Sequence, residues 1–472
     1  MSGESQIPQD DTYSGANRRS SNLINVLGRT WDQICLQAVT PGEIMVVLEG
    51  AGLNDQIARE RYGCLDLLDC AEQLYLRVPY RASSSITPPQ DVAPPTWLPL
   101  LRGLVYLFPA AWLPVTTYIW EIRSATTGWL IATLFCWGWG QLIAHLGYGA
   151  LGRQQPGQTA GFIRILSVVG LLATAGLSAL VALFLHLPAE PTVAVGILTA
   201  TYLFSSYALL ICGRMMWLFS VSLLSAFLGL ALTLVPANLV SLRDYAASWI
   251  LALAVSAPLG LALLVTRRAE RLVWPSIKGL MPSIGYALYG WNCAGFLAWA
   301  TMTSVGIEPL KGLLNTLILA PLVLSTGVME WLVERLFVHL RSLASRPLRR
   351  EALIRQGLKA LAGSVASYIL LLALLYGVLA IIASDLVSLA HLTGQLLFGV
   401  ATMLSVILLT VARLTIVVTS WLVCFGLLVI LNFMPSNFPL SPTGIFLVDI
   451  VVLLSALLYS AVTAFYDVNS YR

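Results

Sequence analysis

Charge is the scarcest thing in this chain: of 472 residues, 11% are Asp, Glu, Lys or Arg, and only three are lysine. A soluble protein of this length carries about a quarter charged residues. So few would not cover a globular surface in water, but they suit an outer wall that faces lipid. Chemistry-bearing motifs are scarce too. Cys35, Cys64, Cys70, Cys136, Cys212, Cys293 and Cys424 form no CxxC or Cys/His cluster, and the four histidines form no HExxH. No metal and no cofactor is therefore expected, and the cysteines are expected to pack as small apolar residues. There is no Walker A motif and no Ser/His/Asp constellation, so enzymatic activity is not expected either. The opening stretch MSGESQIPQDDTYSGANRRS has no apolar run, which argues against a secretory leader and for insertion through internal spans.

What is present is apolar, in windows of about 20 residues. These predict twelve spans: 102–121, 128–150, 163–187, 192–212, 216–240, 246–266, 282–304, 312–333, 361–383, 388–411, 414–434 and 443–466. Between Leu392 and Pro435 the only charge is Arg413, in a run about twice as long as one helix needs, so a hairpin is expected there. Twelve spans put fifteen Lys/Arg in one set of loops and only Arg123, Arg243 and Lys311 in the other. The positive-inside rule then places both termini in the cytoplasm. The loops on the outer side are short, such as WEIRSATTG, and leave no platform for a catalytic domain. This layout fits the multi-pass architecture of a bacterial plasma membrane protein.

The fold class expected is all-α and polytopic, with two six-helix lobes. A disordered tail (1–20) leads to a cytoplasmic helical module (21–82), a Pro-rich linker (83–98) and an N-lobe (99–266). A basic linker (267–281) joins this to a C-lobe (282–466), which carries a cytoplasmic helical extension (334–360); a short tail (467–472) follows. In the extension, Leu332, Leu336, Val338 and Leu340, then Leu353, Ile354, Leu358 and Leu361, recur at helical spacing on either side of Pro347. Its arginines anchor topology and lie near anionic headgroups.

In the module, Thr40-Pro41-Gly42-Glu43 reads as a helix start and Asn54 as the cap of a second helix that ends at Gly63. Leu65, Leu68, Ala71, Leu74 and Tyr75 stripe a third, and Leu23 to Ile34 would add an earlier one. Acidic residues outnumber basic ones in the module, which argues against nucleic acid and for docking or regulation.

Polar groups inside spans are the candidate functional residues, because the bilayer penalises them. Asp449 is the deepest carboxylate, and Glu330 lies near the inner end of span 8, where an ion pair with Arg335 or a neighbouring arginine is expected. Gln141 and His145 share one face among glycines, a setting for an interhelical hydrogen bond, and Asn292 is similar. Trp129, Trp137, Trp139, Trp291 and Trp299 are expected mainly as belt or packing residues.

The layout, together with MEWLVERLFVHLRSL and then RREALIRQGLKALAGSVASYILLL after a Pro-containing break, resembles the multidrug/oligosaccharidyl-lipid/polysaccharide (MOP) flippase superfamily, especially its Pel-type exopolysaccharide exporters. The resemblance covers the spans in layout and about forty residues; the 21–82 module departs from it. It implies alternating access, with a polysaccharide or lipid-linked glycan as cargo. Arg164, Arg214, Arg335 and Arg413 would attract a pyrophosphate or acidic sugar at the cytoplasmic mouth, with Gln141 and Asn292 as further substrate contacts. Asp449 and Glu330 would couple transport to protons or Na⁺. The partners implied are membrane lipid, the glycan, and a cytosolic glycosyltransferase or synthase docked through 21–82. The rival reading is a membrane scaffold that recruits such an enzyme and transports nothing.

Overall fold

The structure is a computed structural model and describes residues 38, 40–50, 52–77, 98–116, 118–233, 240–270, 273–305, 309–344, 350–382, 389–432 and 441–466. The expected tail 1–20, the helix over 23–34, most of the Pro-rich linker, the break at Pro347 and the tail 467–472 lie outside the described residues. Two compact units emerge, Met1–Pro94 and Pro95–Arg472.

The first unit contains α1 (Pro41–Gly50), α2 (Asp55–Ile57, continued to Tyr62 as a π-turn) and α3 (Leu67–Arg77). Asn54 Oδ1 accepts the Ile57 N–H at 2.9 Å and caps α2. Gly63, at φ 69°, ends the turn that follows. Ile44 and Leu48 of α1 pack on Leu67, Cys70, Ala71 and Leu74. This corrects two expectations. Leu65 is 80% exposed and Leu68 44%, because α3 starts at Leu67 and buries the 67/70/71/74 face instead. Cys64 and Cys70 do not pack as separate apolar residues: they are disulfide-bonded, with Cα atoms 5.4 Å apart.

The second unit is all-helical among its described residues and forms a polytopic membrane protein. Its helices are α4 (Leu98–Thr116), α5 (Ile122–Gly152), α6 (Pro156–Phe184), α7 (Ala189–Ile211), α8 (Met215–Thr233), α9 (Val240–Val265), α10 (Ile277–Val305), α11 (Pro309–Ala344), α12 (Arg350–Ile382), α13 (Leu389–Thr410), α14 (Leu414–Asn432) and α15 (Pro442–Tyr466). These match the twelve expected spans one for one. Helix α5 begins at Ile122, inside the stretch read as an outer loop, so that loop is shorter than expected.

Two cores, not one, hold these helices. In the N-lobe, α4–α9 close around Trp112, Phe162, Tyr202 and Phe204, with Ala287 of α10 reaching into the same core. The Tyr202 hydroxyl donates to the Val105 carbonyl at 3.0 Å and meets Ser222 Oγ at 3.1 Å, joining α7 to α4 and α8. In the C-lobe, α10–α15 close around Phe296, Phe398, Trp421 and Phe446, whose rings pack at 5.5–6.1 Å. Trp421 Nε1–H donates to Ser405 Oγ at 2.8 Å. Such contacts matter because lipid tails are as apolar as Leu, so helices associate in the bilayer by close packing and interhelical hydrogen bonds.

Each lobe places its fourth helix at the centre: the most apolar stretches of α7 and α13 are 72% and 67% buried, against 17% for α12. Both central helices then turn sharply into the fifth. In Leu209-Leu210-Ile211-Cys212-Gly213-Arg214, Gly213 N–H reaches the Leu210 carbonyl and Arg214 N–H the Leu209 carbonyl. In Leu408-Leu409-Thr410-Val411-Ala412-Arg413, Ala412 N–H reaches Leu409 and Arg413 N–H reaches Leu408. Gly213 and Ala412 both adopt the left-handed region, at φ 69° and 59°. The same helix-ending bond pair, with the same Leu-Leu-x-x-(Gly/Ala)-Arg pattern, thus recurs at corresponding places in the two lobes.

Candidate functional site

The lobes meet along a seam made by the first two helices of each, exchanged: α4 lies on α11, and α5 lies on α10. Nine helices among the described residues are long and apolar enough to cross a membrane, and α5 has the lowest mean hydropathy of these, 1.3. The seam gathers several polar groups and glycines.

Along α4–α11 the backbones touch through glycine. A Cβ on Gly103 would run into the Leu324 carbonyl, and one on Gly327 into the Pro99 carbonyl. One turn from these contacts, the Arg102 guanidinium forms an ion pair with the Glu330 carboxylate. The side chains are 38% and 32% exposed, so the pair is half-buried. The phenols of Tyr106 and Tyr148 stand within electrostatic range of it.

Along α5–α10 the pattern repeats with different chemistry. Gly138 lies against the Trp291 ring and Gly290 against Gly138 and the Gln141 side chain. The Trp291 indole N–H donates across the seam to the Phe135 carbonyl at 3.0 Å. Phe135, Trp139 and Trp291 form a stacked slab, with centroids 5.6–6.4 Å apart. His145 Nδ1 is 2.8 Å from Ser283 Oγ, and its ring stacks on Tyr286 at 4.6 Å. This is the interhelical hydrogen bond expected for the Gln141/His145 face.

Of the residues singled out in the sequence, Glu330, Gln141, His145, Trp139 and Trp291 lie at the seam. Glu330 is held not by Arg335 but by Arg102; Arg335 instead sits over the Trp331 ring at 5.2 Å. The basic candidates are each engaged separately. Arg164 Nε donates to Thr266 Oγ1 at 3.0 Å and its Nη2 to the Leu263 carbonyl at 3.2 Å, tying α6 to α9. Arg214 lies over Trp217 at 4.9 Å, and Arg413 sits in the matching turn of the other lobe. Asn292 is buried and returns its Nδ2–H to the Leu288 carbonyl at 2.7 Å.

Asp449 is fully buried in the C-lobe, where the Cys424 thiol of α14 approaches it, and neither carboxylate oxygen accepts a hydrogen bond of ordinary geometry. A buried carboxylate without such partners is costly.

Arg102 was not singled out because it falls at the margin of the first apolar window. The cue was there: it is the only charge between Leu98 and Trp120.

No family model matches the chain, and no curated protein is similar to it. Three solved structures are similar in outline. A structure described as MATE in the bent conformation aligns at 15% identity and TM-score 0.47, covering 78% of this chain and 92% of its own. A MATE in complex with Br-NRF aligns at 12% identity and TM-score 0.37, over 78% and 97%. An inward-facing multidrug resistance MATE family transporter of the MOP superfamily aligns at 12% identity and TM-score 0.34, over the same shares. At these values nothing about cargo or mechanism carries over to this chain.

Proposed function

We propose that this chain is a membrane transporter of the MOP flippase type that moves a polysaccharide or lipid-linked glycan by alternating access. One observation carries the reading: two six-helix lobes, each with its own core and sharing only a few residues such as Ala287 and Trp137 across the boundary, meet along a reciprocal seam of glycine contacts and a few polar bonds. A merged core would resist separation, whereas bodies joined this way can rock apart.

Short connections put the start of α4 and the ends of α5, α9 and α11 at one end of the bundle. The excess of Arg in the loops there makes it the cytoplasmic end by the positive-inside rule, with both termini inside. Opening toward the cytoplasm then separates Arg102 from Glu330 and His145 from Ser283. It also uncovers the Phe135/Trp139/Trp291 slab, whose faces suit the C–H surfaces of sugar rings. Released Arg102, with Arg164, Arg214 and Arg413 at the same end, supplies cations for a pyrophosphate or acidic sugar. Asp449, with Glu330, is the candidate for coupling to an ion.

The test is thiol labelling in the full chain, on a background lacking the free native cysteines. Single cysteines at Gln141 and Asn292 are probed with a membrane-impermeant reagent from each side. Labelling of either position from both sides supports alternating access. Protection of both in folded protein overturns it in favour of a closed scaffold, for which the separately cored N-terminal unit would be the recruiting element.

A further inference from the structure

Helix α12 is longer than a bilayer needs. At 1.5 Å per residue its 33 residues span about 50 Å, against a hydrocarbon layer of about 30 Å. From Leu361 to Ile382 it carries no charge, which alone is enough to cross. The preceding turns, including Arg355 and Lys359, therefore stand at headgroup level or beyond.

There the surface is not flat. A groove of about 530 Å³ lies between α12 and the end of α15, its floor made by Ile354 and Leu358 and its wall by Tyr466. Arg355 and Lys359 open into it one helical turn apart. Both are exposed, and neither has a hydrogen-bond or ion-pair partner among the described residues. Glu351 also lines the groove but lies in the first turn of α12, where its charge complements the helix terminus. Toward the bilayer the wall continues as Ala362, Ala366 and Leu370, all exposed and all uncharged.

A pair of unpaired cations, an aromatic ring at the interface and an apolar strip running on into the membrane match one ligand in all three parts. We propose that this groove binds an anionic phospholipid of the bilayer, with its phosphate between Arg355 and Lys359, its glycerol region against Tyr466 and an acyl chain along the α12 strip. The assignment is independent of transport, since a chain that moves nothing would hold the lipid equally well.

Native mass spectrometry of the full-length protein tests it. Protein delipidated in detergent is offered phosphatidylglycerol or phosphatidylcholine, and retained lipid is counted. The wild type is expected to retain phosphatidylglycerol over phosphatidylcholine by about ten-fold. Arg355→Gln/Lys359→Gln is expected to bring the two near parity with an unchanged melting temperature. The control Arg335→Gln/Arg341→Gln, which removes two arginines of α11 outside the groove, is expected to keep the preference. An unchanged preference in the groove variant overturns the proposal, and so does an equal drop in the control, which would mean diffuse attraction. Displacement of phosphatidylglycerol by millimolar inorganic phosphate also overturns it, because the site would then read phosphate without its lipid.

Discussion

Arg102 and Glu330, 228 residues apart in sequence, form an ion pair that joins the first helix of one lobe to the second helix of the other. Each side chain is about a third exposed, so screening keeps the pair's own contribution to stability at about 1 kcal/mol. On the proposed mechanism, its larger effect would be on which end of the seam stays shut.

Neutralising either partner is expected to loosen that end. Arg102→Gln and Glu330→Gln should each raise impermeant-thiol labelling of a cysteine at Ser283. The double variant should do no more than either single one, and the exchanged pair Arg102→Glu/Glu330→Arg should restore protection. Additive effects of the two single changes would show that the residues act independently.

Bulk at the glycine contacts should separate the lobes without dissolving them. Gly103→Leu and Gly327→Leu place side chains against backbone carbonyls, which no rotamer change relieves. Each is expected to destabilise the protein by about 1–3 kcal/mol and to abolish cross-linking between cysteines placed on α4 and α11, while cross-links within each lobe persist. Retained cross-lobe linking would mean that the seam is not set by these contacts.

Asp449→Asn tests the buried carboxylate. The change is nearly isosteric and removes a titratable group buried without an ordinary hydrogen bond, so thermal stability should hold. If Asp449 couples an ion, transport by this variant should lose its dependence on the proton or Na⁺ gradient. Full ion dependence in the variant would remove Asp449 from that role.

The Cys64–Cys70 bond closes a small loop in the N-terminal unit. A bond of that loop size adds about 2 kcal/mol by restricting the unfolded chain. Reduction should therefore lower the melting temperature of that unit and expose two alkylatable thiols. Rapid alkylation of both without reductant would show that the pair is held open, the state a reducing cytoplasm favours.

Most of the architecture was legible because the bilayer imposes a coarse grammar: twelve apolar windows gave twelve helices, and Arg413 marked a real hairpin. The module was legible at its caps, Asn54 and Gly63, and along α3 at Ala71, Leu74 and Tyr75, but not at Leu65 and Leu68, which are exposed, nor at the Cys64–Cys70 bond, which spacing alone does not announce. At the seam, Gln141 and His145 stood out because they share one helical face. The partner of Glu330 did not, since sequence nearness favoured Arg335, whereas the fold supplied an arginine from across the molecule. The repeated Leu-Leu-x-x-(Gly/Ala)-Arg turn was in plain view, but its meaning depends on knowing that both copies leave the central helix of a lobe.

One feature of the N-lobe sets where motion can enter. Three of its consecutive hairpins, at Gln154, His186 and Gly213, close with the same pair of backbone bonds around a left-handed residue. Helices α5 through α8 are thereby joined in series by three turns of one geometry. Cargo pressing on α5 at the seam would not bend a single helix. On the proposed mechanism it would turn four of the lobe's six helices together.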